Sequence, residues 1–420
     1  MLRVGLTGGI ACGKSHVRRR LAARGFETLD LDAVAREVTA PGSPALAEIA
    51  AAFGAGVLGP DGALDRKALA AVVFADAEAR ARLNAIVHPR VRAAEARLAE
   101  ASTGREGAVL VSDAALLVEA GAHLRFDRLV VVHCEPDLQL ARLRARDGLD
   151  EPSARARIAA QMPLAEKRGF AHFEVDTSGS LDETDSAADA LAGELETIAP
   201  PDAAPGAAVE ALLGGFVHGP DEGPRGLAPA VLLASAAEAG GLEMERLAAA
   251  LRPPATRPWY RTAGEADPGP AATRLSVTLA AWALQRGAPD PPFLAAAAGS
   301  VARLSHTDAA ARADACQLAL VAQDVALAGG RSSGLDEAAA RSRPLAARFG
   351  GAPPSGRLAL VWSAVRRHPG EPTAAGAACA REGGDPALAS ALAGLGLPVA
   401  PSPRASTFRA ALAAITAAGR

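Results

Sequence analysis

The chain has 420 residues, of which 50% are hydrophobic and 22% charged, and its formal net charge is -3. This length predicts two domains, and a slightly acidic chain gives no reason to expect nucleic-acid or membrane binding. The N-terminus lacks the basic and apolar regions of a signal peptide, and no apolar run reaches the length of a membrane span. The four cysteines are widely spaced, which excludes the usual spacing of a zinc site. We therefore expect a reduced, cytoplasmic protein; the sequence does not indicate its oligomeric state.

The first element is a short apolar run over residues 2–6, which predicts one buried strand. Gly8 is followed by four residues and then by Gly13, Lys14 and Ser15, which is the spacing of a P-loop between a strand and a helix. Glycines let backbone N–H groups turn towards a phosphate, and the helix N-terminus behind them favours an anion. Lys14 can reach the outer phosphates of a nucleotide, and the Ser15 hydroxyl can bind Mg²⁺. A chance match is the alternative, but the chain has only three lysines, so a lysine at this position points to a requirement.

We therefore predict that the whole loop and the residue after it bind a nucleotide through Gly8, Gly9, Ile10, Ala11, Cys12, Gly13, Lys14, Ser15 and His16. The helix that follows places Val17 and Leu21 on its inner face. By the same period, the arginines at 18–20 are expected to point outwards.

The second predicted strand covers residues 26–30 and leads into a helix that begins near Ala33. Ligands of an open α/β sheet bind at the carboxyl ends of its strands, so Asp30 and Asp32 are expected near the phosphates. Strand alternation places both carboxylates on the same side. Asp32 could hold magnesium or accept a proton from an attacking hydroxyl. It could equally cap the helix, and position alone does not decide between these roles.

Residues 44–102 have a helical pattern and form an insertion between strands, where a phosphotransferase would bind its acceptor. Asp65 is expected to cap one of these helices. A longer helix from Asp76 is expected to be interrupted at His88 and Pro89. His88 could line the acceptor site or could simply be a histidine at a helix kink.

Three further strands are predicted at residues 108–112, 128–134 and 173–176, the first of them ending at Asp113 near the expected magnesium position. A helix from Pro136 to about Gly148 and a second from Ser153 to Lys167 could close over a nucleotide as a lid or could be solvated helices. A last amphipathic helix covers residues 181–198. Alternation of strands and helices implies a parallel sheet with right-handed crossovers.

The order of these residues resembles the dephospho-coenzyme A kinase family over residues 1–198. The matching stretches are residues 5–10, 13–15, 29–36, 61–66, 83–89, 116–119, 146–147 and 175–179. The resemblance implies an α/β P-loop kinase fold, with a parallel sheet, helices on both faces, a helical acceptor-site insertion and a lid. It also implies transfer of the γ-phosphate of ATP, with Mg²⁺, to the ribose 3′-hydroxyl of dephospho-coenzyme A.

The resemblance further implies roles for individual residues. It implies that Lys14, Asp32 and Arg142 are catalytic, that the loop and Arg146 bind the nucleotide, and that Ser15 and Asp32 bind the metal. Substrate binding falls to Asp32, Arg66, His88, Leu117 and Glu119. The chain departs from the family at three places: Ala11-Cys12 replaces the usual Gly-Ser, Ala115 a proline, and Thr177 an asparagine.

Residues 199–206 are rich in proline and alanine and predict a linker. Residues 207–420 contain apolar helical runs without strand alternation, which predicts an all-α domain. This half resembles, in patches, the ADP-ribosylglycohydrolase family, at residues 215–219, 305–308 and 383–385 with Gly394.

That family binds two magnesium ions through aspartates from several helices, and here the acidic set is incomplete. Pro220 stands where an aspartate should be, Ala387 and Leu388 replace a second aspartate and a threonine, and no Asp-Asp pair occurs. The remaining carboxylates, those of Asp221, Asp308 and Asp385, are expected to be surface groups or helix caps. We therefore expect no hydrolase activity, and kinase turnover within a few-fold when this half is deleted. Two alternatives are a different P-loop small-molecule kinase and a main function of the second half as a module that binds ADP-ribose or a partner protein.

Overall fold

The computed structural model describes residues 1–101, 108–198, 280, 291–303, 308–327, 335–356, 358–369, 371–382, 389 and 393. The predicted linker at 199–206 lies outside these residues. So do Pro220, Asp221 and the resembling stretches at 215–219, 305–307 and 383–388, together with Gly394. None of the helices in the described part of the chain is both long and apolar enough to cross a membrane.

The first 198 residues contain five strands and nine α-helices in the described ranges. The strands are β1 (Leu2–Gly8), β2 (Glu27–Asp30), β3 (Val109–Asp113), β4 (Arg128–His133) and β5 (Phe173–Asp176). The helices are α1 (Lys14–Ala23), α2 (Leu31–Val38), α3 (Pro44–Phe53), α4 (Arg66–Ala75), α5 (Ala77–Ala101), α6 (Pro136–Asp147), α7 (Glu151–Ala159), α8 (Leu164–Arg168) and α9 (Leu181–Thr197).

The five strands form one parallel sheet in the order β2-β3-β1-β4-β5. β4 is buried along its whole length, as its continuous apolar sequence predicts for a central strand. Because all the strands run in the same direction, their carboxyl ends and the loops that follow them lie along one edge of the sheet. The parallel sheet predicted from the sequence is therefore confirmed.

Helices cover both faces of this sheet. On one face, side chains of β1, β3, β4 and β5 form a single core with the inner faces of α1 and α9, including the predicted Val17 and Leu21. On the other face, Glu95 of α5 is buried and accepts a hydrogen bond from Ser112 of β3 at 2.7 Å. Gly5 of β1 lies beneath Phe126, where a Cβ atom would come within 2.7 Å of the ring.

The helical insertion between β2 and β3 consists of α2 to α5 and has a small core of its own. Ile49, Val57 and Leu69 are buried at its centre. Asp65 caps α4 as predicted, since its carboxylate accepts hydrogen bonds from two backbone N–H groups at 3.0 Å. The expected interruption at His88 and Pro89 is wrong, because α5 continues through Pro89 to Ala101. The Arg90 side chain donates to the Ile86 carbonyl at 2.6 Å in the turn that contains the proline.

The predicted single helix from Ser153 to Lys167 is two helices, α7 and α8. The break spans residues 160–163 and contains Pro163. Proline disfavours helical geometry in the residue before it and cannot donate a backbone hydrogen bond, so the chain turns here. Gln161 lies within this break, and its side chain contacts the P-loop.

The chain divides into two compact units. The first comprises Met1–Leu117, Phe126–Leu164 and Phe173–Pro200, and the second comprises Val118–Arg125, Ala165–His172 and the chain from Pro201. In its described C-terminal part the second unit is helical. Its helices are α10 (Pro291–Ala302), α11 (Ala309–Leu327), α12 (Leu335–Gly350), α13 (Leu358–Arg367) and α14 (Pro372–Arg381).

Small residues let the helices of the second unit pack closely. α10 buries every residue from Phe293 to Ala302, which is typical of a helix at the centre of a helical domain. A Cβ atom at Gly299 would lie 2.7 Å from the Phe349 carbonyl oxygen, and one at Gly350 would lie 2.5 Å from the Ala313 backbone. The Asp308 carboxylate accepts from the N–H of Ala311 at 3.0 Å, and so caps α11 as expected.

Candidate active site

The P-loop backbone between β1 and α1 has a shape that depends on glycine. At Gly8 a Cβ atom would lie 2.4 Å from the Val132 carbonyl oxygen, so any side chain would push the loop away from β4. Gly13 is the N-cap of α1 with φ 81°, in the left-handed region that glycine adopts without strain. Ala11 also has a positive φ, of 62°, although it carries a side chain. The loop is therefore held in a specific conformation at the N-terminus of α1.

Three side chains from distant elements fix this loop. Gln139 of α6 donates to the Ile10 carbonyl at 2.9 Å, and Gln161 accepts from the Ile10 N–H at 2.8 Å. Thr177 donates to the Cys12 carbonyl at 2.9 Å. The two glutamines thus form hydrogen bonds with both the N–H and the carbonyl of Ile10. Sequence reasoning missed Gln139 and Gln161, because their partner is brought near only by the tertiary fold.

A buried cluster of charges lies beside the loop, at the end of β3. The Asp113 side chain is 1% exposed, and its carboxylate is paired with the Lys14 ammonium group. The Arg18 guanidinium Nε lies 3.0 Å from the other Asp113 oxygen, and Arg18 Nη2 lies 3.6 Å from the Asp30 carboxylate. The expectation that Arg18 points outwards is therefore wrong. One buried carboxylate balanced by two cations holds the Lys14 side chain at the carboxyl ends of the strands.

Asp30 and Asp32, at the end of β2, make different contacts. Asp30 is the N-cap of α2, and its carboxylate accepts from the Ala33 N–H at 2.8 Å. The helix therefore begins two residues before the expected position, and Asp32 is not its cap. Asp32 is exposed in the first turn, and its carboxylate accepts a long hydrogen bond, 3.4 Å, from the Ala115 N–H in the turn after β3. Asp32 thus lies over the same strand ends as Asp113.

The first two residues of α1 after Lys14 differ in their surroundings. Ser15 is exposed in the first turn of the helix. The His16 ring contacts the Asp185 carboxylate of α9 at 2.7 Å, and the His16 N–H donates to the Gly13 carbonyl at 2.9 Å. These contacts give His16 a part in packing α1 against α9, and none of them directs its side chain towards a nucleotide.

The two arginines predicted for the lid make different contacts. Arg142 of α6 donates to the Thr177 hydroxyl at 3.0 Å and to the Thr177 carbonyl at 2.8 Å, so it supports the residue that holds the P-loop. Arg146 pairs with its neighbour Asp147 at 2.7 Å, and Arg157 of α7 lies 2.7 Å from the same carboxylate. The hydrogen bond from Arg146 holds the pKa of Asp147 below its usual range.

The residues predicted for substrate binding are spread over several elements. Arg66 donates to the Thr39 hydroxyl at 2.8 Å, and partial desolvation of its guanidinium, together with the nearby charge of Arg36, lowers its pKa. His88 is half-buried in the middle of α5. Leu117 is 4% exposed and packs beneath Gly5, whereas its neighbour Leu116 is 48% exposed.

Glu119 belongs to the second compact unit. There its carboxylate pairs with the fully buried Lys167 at 2.8 Å. This ion pair joins the segment that contains Glu119 to α8.

The loop fits a nucleotide phosphate, and its surroundings fit a magnesium ion. The N-terminus of α1 has no side-chain cap and no acidic residue in its first turn, so its partial positive charge is not neutralised locally. The Ser15 hydroxyl and the Asp32 carboxylate, both exposed, are oxygen groups of the kind that Mg²⁺ prefers beside phosphates.

Residues 2–183 match the family model described as Dephospho-CoA kinase. The chain is 48% identical to the Dephospho-CoA kinase of Thermobifida fusca over 186 residues, which are 44% of this chain and 92% of that protein. It is 50% identical to that of Geobacter sulfurreducens over 182 residues, 43% of this chain and 91% of the relative. A solved protein of Thermus thermophilus is 36% identical, covering 46% of this chain and 97% of its own, with a TM-score of 0.40. Through its N-terminal region, the chain belongs to the Dephospho-CoA kinase family.

Proposed function

We propose that residues 1–198 transfer the γ-phosphoryl group of ATP to the ribose 3′-hydroxyl of dephospho-coenzyme A, the last step of coenzyme A synthesis. The observation that carries this proposal is the P-loop, in which Lys14 is paired with Asp113. The chain is also similar to curated Dephospho-CoA kinases over nearly their whole length. We propose that the reaction takes place in the cytoplasm.

The P-loop would bind the phosphates of ATP through its backbone N–H groups and the N-terminus of α1. Lys14 would move from Asp113 to the outer phosphates, where it stabilises the charge that spreads over the transferring phosphoryl group. Arg18 would remain paired with Asp113 and keep that buried carboxylate neutralised. The two glutamines at Ile10 and the Thr177 hydroxyl keep the loop in the conformation that binds phosphate.

Asp32 would orient the ribose 3′-hydroxyl and accept its proton, since its carboxylate is exposed at the strand ends beside the cluster. A bound magnesium ion would supply neutralisation of the phosphate charge. Ser15 and Asp32 are the proposed ligands for it. Arg142 is proposed to act through Thr177, because it donates hydrogen bonds to both the hydroxyl and the carbonyl of that residue.

The acceptor would bind against the helical insertion between β2 and β3. Arg66 and His88 are the polar residues we propose for this role. Arg66 is already directed at the end of α2, the helix whose start carries Asp32. In the pair of leucines, the exposed Leu116 is better placed than the buried Leu117 to contact a substrate.

The test is a coupled assay of the full chain with ATP, Mg²⁺ and dephospho-coenzyme A, with the product identified by mass. The matched control substrate is the 3′-deoxy analogue, which lacks the accepting hydroxyl. Lys14→Ala should lower kcat by about 10²-fold or more, while Lys67→Ala, an exposed lysine of α4, should not. Turnover of the 3′-deoxy analogue at the rate of dephospho-coenzyme A would contradict the proposed acceptor.

For the second half we propose an ADP-ribosylglycohydrolase-like helical domain that lacks hydrolase activity. The described helices of residues 291–382 support the all-α character, and Asp308 serves as a helix cap. The measurement is release of ADP-ribose from an ADP-ribosylated protein by the full chain with Mg²⁺. Release above a control without enzyme, abolished by Asp385→Ala, would contradict the proposal.

A further inference from the structure

Two cysteines that are 122 positions apart in the sequence meet beside the nucleotide loop. Cys12 lies in the P-loop and Cys134 directly follows β4, and their sulfur atoms are 3.4 Å apart. Both are free thiols in this structure, and they are 0% and 4% exposed. A disulfide has an S–S length of about 2.05 Å, so the sulfurs need to approach by only a little over an ångström to bond. The wide spacing in the sequence concealed this pair.

The surroundings make the two thiols chemically unequal. The hydrogen bond with Cys12 and the positive charge of Arg142 lower the pKa of Cys134 to about 7, although burial and the Asp176 carboxylate oppose this. The hydrogen bond with Cys134 and burial raise the pKa of Cys12. Cys134 is therefore the sulfur that ionises near neutral pH, and a thiolate is the form that reacts with an oxidant. Cys12 is the partner held next to it.

We propose that Cys12 and Cys134 are an oxidation site, at which a peroxide joins the P-loop to the end of β4 by a disulfide and so weakens ATP binding. The Cys134 thiolate attacks one peroxide oxygen, the O–O bond breaks, and the departing oxygen leaves as water after taking up a proton. Cys12 then loses its proton and attacks the resulting sulfenic sulfur; the S–O bond breaks, the S–S bond forms and a second water leaves. In sum, two thiols are oxidised and one hydrogen peroxide is reduced to two waters.

The consequence for the loop follows from how tightly it encloses the Cys12 sulfur. A Cβ atom at Gly9 would lie only 2.8 Å from that sulfur, and the Cys12 N–H donates to the Gly9 carbonyl at 3.1 Å. The Cys12 carbonyl is held by Thr177 at 2.9 Å. Drawing the sulfur towards Cys134 therefore displaces the backbone whose N–H groups are proposed to cradle phosphate. This inference rests on the proposed ATP site only for its functional consequence, and not for the bond itself.

The experiment treats the reduced full chain with hydrogen peroxide and reads out two quantities. Intact mass should fall by two hydrogens, and peptide mapping should join the peptides of Cys12 and Cys134. Titration with a fluorescent ATP analogue should show at least a 10-fold weaker affinity, restored by a dithiol reductant. Bond formation should accelerate as the pH rises through about 7, where Cys134 ionises.

Cys134→Ala is the informative variant, because Cys134 lies outside the loop that binds the nucleotide. It should bind the analogue as the reduced wild type does and keep that affinity after peroxide. Cys134→Ser serves the same purpose if the alanine variant folds poorly. Cys316→Ala is the matched control, since burial raises the pKa of that thiol to about 12; it should remain sensitive.

The outcomes separate the inference from the proposed function. Peroxide treatment without a Cys12–Cys134 link overturns the inference, and so does a link that leaves analogue affinity unchanged. A chain that forms the link and loses analogue affinity, but does not phosphorylate dephospho-coenzyme A, supports the oxidation site and contradicts the proposed acceptor.

Discussion

The Arg18 side chain offers a sharp test of how the buried charge cluster works. Asp113 is 1% exposed and is paired with both Lys14 and Arg18, so the two cations share one carboxylate. If Arg18→Gln removes one cation, Lys14 alone must neutralise Asp113. Lys14 then has to leave an uncompensated buried charge whenever it moves to a phosphate. Arg18→Gln should therefore lower the catalytic efficiency with ATP.

The expected size follows from the exposure of the partners. Breaking a fully buried ion pair by removing one partner costs about 3–5 kcal/mol. The Arg18 side chain is 24% exposed and Asp113 keeps Lys14, so we expect about 1–3 kcal/mol here. That corresponds to a fall in kcat/KM for ATP of about 5- to 150-fold. The melting temperature should change little, because Lys14 still pairs with Asp113 when no phosphate competes.

Steady-state kinetics with varied ATP is the assay, and Arg19→Gln is the matched control. Arg19 is the next residue on the same helix and is exposed, so its loss should leave kcat/KM unchanged within about 2-fold. In an Asp113→Asn background, Arg18→Gln should cost much less than in the wild type, since the charge it balances is gone. Equal kinetic effects of the Arg18 and Arg19 substitutions, or full additivity with Asp113→Asn, would refute the reasoning.

Two other substitutions test the base and the loop. Asp32→Asn should lower kcat by roughly 10²-fold or more with little change in ATP affinity; loss of ATP binding in a titration would contradict the role of Asp32 as the base and leave only its proposed role as a metal ligand. Gly8→Ala places a Cβ atom 2.4 Å from the Val132 carbonyl and should lower stability by about 1–3 kcal/mol in thermal unfolding. Gly193→Ala in α9 meets nothing within 4 Å and should stabilise by about 0.4–1 kcal/mol, and equal effects at Gly8 and Gly193 would show that the close approach is unimportant.

The parts of the fold that a local pattern determines were predicted well. β1 is a short, mostly apolar stretch, β4 is a nearly continuous apolar run, and the P-loop has fixed glycine spacing, so each could be identified from a few adjacent residues. Arg18 was assigned to the outside because helical period separates apolar from polar faces, and it cannot distinguish solvent from a buried carboxylate. The helical pattern of residues 153–167 predicts one continuous helix, whereas Pro163 ends it before α8.

Residues that act only through the tertiary fold could not be predicted in the same way. Gln139 and Gln161 become recognisable when both are found on Ile10, and nothing in their own neighbourhoods points to the loop. The sequence allows Asp32 to be the helix cap, whereas the cap in the structure is Asp30, because the helix begins at Leu31 rather than near Ala33. The contact of Cys12 with Cys134 depends on β1 and β4 being neighbours, which strand order decides.

The second compact unit includes two segments of the first 198 residues, and this bears on the expected result of deleting residues 207–420. Within that unit, His123 is 3% exposed and its ring contacts the Ser300 hydroxyl at 2.9 Å. Phe170 is 4% exposed, with the Arg303 guanidinium 4.4 Å from the centre of its ring. Deletion would leave these buried side chains without the partners that now enclose them.

Arg348 adds a second set of contacts, since its guanidinium donates to the carbonyls of His172 at 2.7 Å and Ala171 at 3.1 Å. Loss of these hydrogen bonds together with the burial of Phe170 should cost about 3–6 kcal/mol. A chain of residues 1–198 should therefore melt at least about 6 °C below the full protein, although its turnover per folded molecule stays within a few-fold. Thermal unfolding measures the melting temperature, and a kinase assay at low temperature measures the turnover per folded molecule. In the full chain, Arg348→Gln should reproduce part of the shift, whereas Arg341→Gln, exposed on the same helix, should not. Equal melting temperatures for the truncated and full chains would show that these contacts do not stabilise the two segments.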